Sequence, residues 1–244
     1  MKKIIVLLAF ITIVSSSFAQ HFIASGKIEF ERKVNLHKLY DYEGEWGDYI
    51  RKNAPQFVTN YFNYVFRGNQ SLYKPGREVE DEKQKEWGQF PGNENTVYSD
   101  YKSEQFLSSK QVFEALYLIG DSVPKMNWKI TPDTRKIAGF NCRRAETIIM
   151  DSVYVVAFYT DEIMISGGPE SFNGLPGMIL GIAIPRMHVT LFATKLELAE
   201  VTDAELKAPV KGRKTNVPDL KVKLQASMKN WGKEANRNLW FLTI

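Results

Sequence analysis

Between Thr96 and Leu198 the chain is broken into short apolar and aromatic runs by a few polar, Gly or Pro residues, and this spacing narrows the fold more than any other feature. The runs are Val97 to Tyr101, Glu104 to Leu107, Val112 to Ile119 and Met126 to Ile130, followed by two pairs. Cys142 to Met150 and Tyr154 to Tyr159 flank Asp151-Ser152, and Met178 to Ile184 and Val189 to Leu198 flank Pro185-Arg186. Such runs are too short for buried helices and rich in β-branched and aromatic residues, so they read as strands, the two pairs as hairpins. A parallel sheet would need a crossover helix between strands, and no regular strand–helix alternation is present.

Upstream, Ser25 to Val34 alternates Ile28 and Phe30 against Lys27, Glu29 and Glu31, another strand. Asp41 to Asn53 has helical spacing, an acidic start and Pro55 as its stop. Tyr61 to Phe66 and Gln70 to Tyr73 read as strands around Arg67-Gly68-Asn69, and polar Lys74 to Asn95 as a solvated loop or flap. Downstream, Thr202 and Glu205 have capping-box spacing for a short helical turn. Lys207 to Val217 reads as a basic loop, and Asp219 to Trp231 as a helix with Leu220, Leu224, Met228 and Trp231 on one stripe. The expectation is a mainly β, β-rich α+β chain built as an antiparallel sheet, with residues 20–244 as one domain.

The first residues are set apart. Lys2 and Lys3, an apolar stretch from Ile4 to Val14, and the small residues Ser17 and Ala19 have the order of a secretory signal peptide over residues 1–19. Its removal would reduce the formal charge from +4 to +2, since 32 basic residues face 28 acidic ones. Neither value suggests nucleic-acid binding, which calls for a concentrated basic face. No later apolar stretch is long enough for a membrane-spanning helix, so the expected location is the periplasm, the outer-membrane surface or the medium. A single cysteine, Cys142, excludes a disulfide framework and a Cys-rich zinc site.

Catalytic constellations are sparse. His21, His37 and His188 have no second ligand at metal spacing, and no phosphate loop, dinucleotide fingerprint or Ca²⁺ loop occurs. Leu116 to Val123, with Gly120-Asp121-Ser122, resembles the nucleophile block of GDSL esterases. The Asp-x-x-His that such a serine needs is missing, because Pro185 stands where the Asp before His188 would be. Gly120 to Ser122 is therefore read as a turn and Cys142 as a small buried hydrophobe; Asp161 and Glu162 follow a strand whose alternation would point them opposite ways, which implies no paired acid–base geometry, a turn or calcium-binding rim being the alternative. No catalytic residue, metal or cofactor is assigned.

The most distinctive segment is Gly167-Gly168-Pro169-Glu170-Ser171-Phe172-Asn173-Gly174-Leu175-Pro176-Gly177-Met178-Ile179. Gly168-Pro169 makes a rigid turn, Gly174 is suited to positive φ, and Pro176 holds Leu175 extended. Gly177 allows a close backbone approach where a strand begins. Such a corner turns Phe172 and Leu175 inward and launches Met178 and Ile179 into a strand. These residues are the binding or structural candidates: Gly168, Pro169, Phe172, Gly174, Leu175, Pro176, Gly177, Met178 and Ile179.

Gly174 to Ile179 resembles the signature of the GLPGLI family, exported proteins of Bacteroidetes-type bacteria. The likeness extends to Trp128-Lys129-Ile130, to Thr134-Arg135-Lys136-Ile137-Ala138-Gly139-Phe140-Asn141-Cys142 and to Ala157-Phe158-Tyr159-Thr160-Asp161-Glu162-Ile163. The family supplies no catalytic residues to carry over. The hairpin also resembles exported sheets of the lipoprotein-carrier type, which implies a curved, incompletely closed barrel with helices across its concave side, including a C-terminal amphipathic helix. The leading expectation is a non-catalytic envelope module that binds a lipid or other apolar ligand, or an envelope partner. The alternatives are an accessory subunit of an outer-membrane assembly, with basic residues 207–223 as interface, and a hydrolase with an atypical site.

Overall fold

The computed structural model describes residues 23–150 and 152–243. The expected signal peptide, His21 and Asp151 lie outside the described residues. One open sheet of twelve strands dominates, in the order β12-β6-β5-β4-β3-β2-β1-β11-β10-β9-β8-β7. Two antiparallel meanders make it. The first runs through β1 (Ser25–Asn35), β2 (Phe57–Arg67), β3 (Gln70–Pro75), β4 (Thr96–Asp100), β5 (Gln105–Val112) and β6 (Ala115–Ser122). The second runs through β7 (Lys129–Ile137), β8 (Phe140–Ile149), β9 (Val153–Thr160), β10 (Met178–Ile184) and β11 (Val189–Glu197). They join where β1 pairs with β11, Ile28 facing Leu196 and Val34 facing Val189. The sheet is curved and does not close into a barrel.

Three departures from the expected elements matter for the site. Gly120 to Ser122 is not a turn but the end of β6, with Gly120 opposite Leu107, Asp121 opposite Phe106 and Ser122 opposite Gln105. The carboxylate that would have closed a local turn instead accepts from the Ser122 and Val217 amides. Ser108 to Gln111, read as a break, is the middle of β5. The strand expected to stop at Ile130 continues through Pro132 to Ile137, because β7 is an edge strand whose missing N–H is tolerated at a bulge. The opposite edge is covered by β12 (Arg213–Thr215), which lies within the expected basic loop and pairs parallel to β6. Its exposed Arg213 and Lys214 discourage further strand addition.

Five α-helices occur among the described residues: α1 (Leu36–Leu39), α2 (Glu45–Asn53), α3 (Glu82–Trp87), α4 (Val217–Ser227) and α5 (Lys233–Thr243). The polar segment around α3 is only partly a solvated flap. Its end dives inward, with Phe90 and Asn95 buried and Phe90 stacked on Phe241 of α5 at 5.9 Å. Asn216 caps α4 by accepting from the Asp219 amide at 2.8 Å, and Leu220 and Leu224 of α4, with Met228 just beyond it, face the sheet. Trp231, expected on the same stripe, lies in the α4–α5 turn, 44% exposed and edge-on to Phe113. The Thr202–Glu205 pair forms a hydrogen-bonded turn and no helix.

The apolar interior divides by strand parity. Ile28, Phe30, Phe62, Tyr64, Phe66, Tyr73 and the β9–β10 residues form the main cluster on one face. Val65 and Leu72, of opposite parity, pack with Val201 and Leu206 on the other. A second cluster joins Val112 and Ile119 to Leu220, Leu224, Met228 and Leu242 under the two C-terminal helices. Each side chain of that size contributes roughly 1.5–3 kcal/mol by burial, which pins the helices to the sheet.

Candidate functional site: a cavity between the sheet and the C-terminal helices

The helices do not seal against the sheet everywhere. Phe106 packs against both the main and the second cluster, and beside it opens a cavity of about 510 Å³. Phe106, Ser108, Lys110 and Ile119 form its sheet side, and Val217, Pro218, Leu220, Leu242 and Thr243 its helical side. Residues Pro124 to Asn127, Ile148 to Met150, Ser171 and Phe172 complete the wall. A mostly apolar concavity of this volume with a few inward polar groups is the usual form of a small-ligand site.

The inward polar groups come from strand alternation. On β5, Ser108, Lys110 and Val112 are buried and Gln111 is exposed. Lys110 is 6% exposed, and among the described residues no carboxylate lies within ion-pairing distance of its ammonium. Burial pushes its pKa below the ordinary lysine value of 10.5, with the charge of Glu170 acting in the opposite direction. Ser108 is 0% exposed, and its hydroxyl has no hydrogen-bond partner among the described residues. Native interiors rarely leave such groups unmatched.

Deeper in, a charged group spans the sheet. Arg32 occupies the inward phase of β1 between Phe30 and Val34 and is 4% exposed. Its guanidinium donates to Asn60 at 3.0 Å and to Asn93, and lies 5.0 Å from the Phe62 ring centroid. Desolvation lowers its pKa, opposed by Tyr73 and Glu170. Glu170 is itself 8% exposed, accepts from Asn95 at 3.1 Å, and has φ of +54°. A non-glycine residue in that region stores backbone strain, a feature that concentrates at functional sites. Burial and the Glu170 charge together push the Tyr73 phenol well above its ordinary range.

The distinctive corner lies next to this group. Gly168, Pro169, Phe172, Leu175, Gly177, Met178 and Ile179 are buried, and only Gly174 and Pro176 are exposed. Gly174 has φ of +89° and Gly177 of +139°, and a Cβ on Gly177 would lie 2.0 Å from the Thr160 carbonyl oxygen. Ser166 donates to the Leu175 carbonyl at 2.7 Å, closing the turn. Asn173 ties the corner to the cavity wall: its side chain donates to the Pro124 carbonyl, and its own carbonyl accepts from the Trp128 indole at 2.7 Å. Of the nine candidate residues, Phe172 alone lines the large cavity. The other eight act as the packed mount that places Phe172 and its neighbour Ser171 at the cavity, with Glu170 behind them beside Arg32.

Sequence reasoning missed Arg32, Ser108, Lys110 and Glu170. The signal for Arg32 was its inward phase in the Ile28-Phe30-Arg32-Val34 alternation. Lys110 has the corresponding phase between Phe106 and Val112, hidden once Ser108 to Gln111 was read as a break. Ser122, exposed at the cavity wall beside Asp121, donates to that carboxylate at 3.4 Å; away from the cavity, the Cys142 thiol is buried and pushed up to about 12 by desolvation. His37 contacts the Ala54 carbonyl, and His188 sits in the bend between β10 and β11, its pKa lowered by burial.

The sequence profile of the family described as "N-glycanase peptide, N-terminal domain" matches residues 83–220, which include β5, β6, the corner and the start of α4. The chain belongs to that family. Two structures of PNGF-II, in C2 and P21 crystal forms, superpose on 81% and 82% of this chain with a TM-score of 0.53 and 15% identity. At that identity the likeness concerns the fold. The chain spans about a third of those proteins, 32% of each. No curated protein matches it. Among the described residues of this N-glycanase-domain relative, no helix is long and apolar enough to cross a membrane, and no three His, Cys, Asp or Glu side chains cluster as metal ligands.

Proposed function

We propose that the chain is an exported envelope protein whose work is binding, with an apolar ligand held in the cavity between β5, β6 and the C-terminal helices. The observation that carries this reading is the 510 Å³ cavity, walled largely by Phe106, Ile119, Ile149, Phe172, Leu220 and Leu242. The signal-peptide pattern and the GLPGLI-like corner support the exported setting. Among the described residues the Ser122 hydroxyl donates only to the adjacent Asp121 carboxylate, at a long 3.4 Å, and that carboxylate is held by the Ser122 and Val217 amides, which favours binding over hydrolysis.

The test is titration with the neutral apolar dye Nile red. The wild-type protein should bind it with a blue-shifted emission, and Ile149→Trp, which adds bulk to the wall, should weaken binding about tenfold. A wild-type protein that leaves the dye in water would overturn the reading.

A second reading is a module working beside a larger envelope partner. It is favoured by the matched relatives, in which the corresponding region is called an N-terminal domain and occupies 32% of the PNGF-II chain. The exposed basic run of Lys207, Lys211, Arg213 and Lys214 and the exposed stacked pair Trp46–Tyr49 would be its contact surfaces. Stoichiometric co-purification of one partner from gently solubilised envelopes would support it, and a lone monomer would count against it.

A further inference from the structure

The buried charges do not balance. Among the described residues the buried charged side chains are Arg32, Lys110 and Glu170. Glu170 is the only anion of the three, and both cations feel it. Arg32 donates through one guanidinium nitrogen to Asn60 and Asn93 and lies over the Phe62 ring, its buried Nε lacking a partner among the described residues. Lys110 is left over, with its long side chain lining the cavity and no carboxylate within 4 Å among the described residues. Ser108 lies two residues away on the same strand face, equally buried, with an unpartnered hydroxyl lining the same cavity. The carboxylate in the wall, Asp121, is engaged by the Val217 and Ser122 amides. The other lysine in the wall, Lys125, is exposed and solvated.

We propose that the cavity takes an amphipathic anion, a carboxylate on an aliphatic body, with the carboxylate against the Lys110 ammonium and the Ser108 hydroxyl. This rests on the cavity being a ligand site and adds the chemical class of its occupant. One ammonium and one hydroxyl offer donors to the two oxygens of a single carboxylate, and one negative charge completes the 2:1 buried set. The apolar body lies along Phe106, Ile119, Phe172 and Leu242. A neutral ligand would leave Lys110 uncompensated, and a cation would add a second like charge in a poorly solvated space.

Delipidated full-length protein is titrated by calorimetry with dodecanoate, dodecanol and dodecyltrimethylammonium below their micellar concentrations. Dodecanoate should bind at least about tenfold more tightly than dodecanol, as expected for charge-assisted hydrogen bonds in a desolvated site. The cationic probe should bind most weakly. Lys110→Met should abolish the preference for dodecanoate while dodecanol still binds, which also shows that the variant is folded. Ser108→Ala should reduce the preference and Lys125→Ala should leave it unchanged. Equal affinity for dodecanoate and dodecanol, or a preference that survives Lys110→Met, overturns the anion assignment and leaves the apolar cavity standing. Failure of all three probes to bind overturns the cavity reading itself.

Discussion

The Gly167–Ile179 corner and the middle of β5 are neighbours across the cavity, and they are packed on opposite principles. In the corner no volume is spare: Gly167, Gly168 and Gly177 each lie where a Cβ would come within 3 Å of a neighbour. Its polar groups are matched locally, by Ser166 to Leu175 and Asn173 to Ser171. On β5, by contrast, Ser108 and Lys110 are buried along the cavity, the Ser108 hydroxyl without a hydrogen-bond partner and Lys110 without a carboxylate at ion-pairing distance among the described residues. One region uses the interior to hold shape. The other keeps a buried ammonium and an unpartnered hydroxyl beside open space, and under the proposed reading this contrast separates the residues that build the cavity from those that would bind.

The comparison is broken most severely at Gly177. Alanine there combines a φ of +139° with a Cβ 2.0 Å from the Thr160 oxygen, so Gly177→Ala should cost about 5 kcal/mol by strain plus overpacking, read as a large fall in the urea midpoint. Phe172→Ala removes a side chain that is 1% exposed and should cost about 3–4 kcal/mol. Because Phe172 belongs to both regions, that variant should also enlarge the cavity and weaken Nile red binding.

The β5 side should respond with the opposite sign. Lys110→Met removes an unpaired buried cation and should raise stability by about 1–2 kcal/mol at neutral pH, seen as a higher denaturation midpoint without ligand. The sign also sets its pH dependence. The folded pKa of Lys110 lies below 10.5, with Glu170 the nearby charge opposing that shift, so between the two values the unfolded chain binds the extra proton. The penalty for burying the ammonium is full below the folded pKa and vanishes as pH rises to 10.5. The stability advantage of Lys110→Met should therefore shrink as pH rises from 7 to 10.5; a constant gap would refute the unpaired-charge account. Ser108→Ala should be nearly neutral, within about 1 kcal/mol and on the stabilising side, because no hydrogen bond is lost. Cys142, buried and with its pKa near 12, should react with a thiol reagent only as fast as the fold opens.

Much of the fold was legible in the chain. The β1 alternation, the two hairpins at 142–159 and 178–198, and the stripe of Leu220, Leu224 and Met228 are local periodicities, and each element formed close to its expected range. The corner was legible as well, because glycine freedom and Pro restriction act on single residues whatever surrounds them. Elements whose polarity conflicts with their burial were misread. Ser108 to Gln111 looks like a loop because its inward phase carries Ser and Lys, and Gly120-Asp121-Ser122 looks like a turn because Asp121 bonds to distant Val217. No element was expected over α5, whose place depends on Phe90, 151 positions from its stacking partner Phe241.

The amino-acid order alone determined what depends on near neighbours: strand against helix, the hairpin turns, and the positive φ at Gly174. Only the tertiary structure decided which polar side chains lose water. Arg32, Lys110 and Glu170 are far apart in the chain, and nothing local marks any of them as buried. They come together because β1, β5 and the corner meet beneath α5, where the dielectric is low and an unmatched charge is costly. The imbalance created there defines the site.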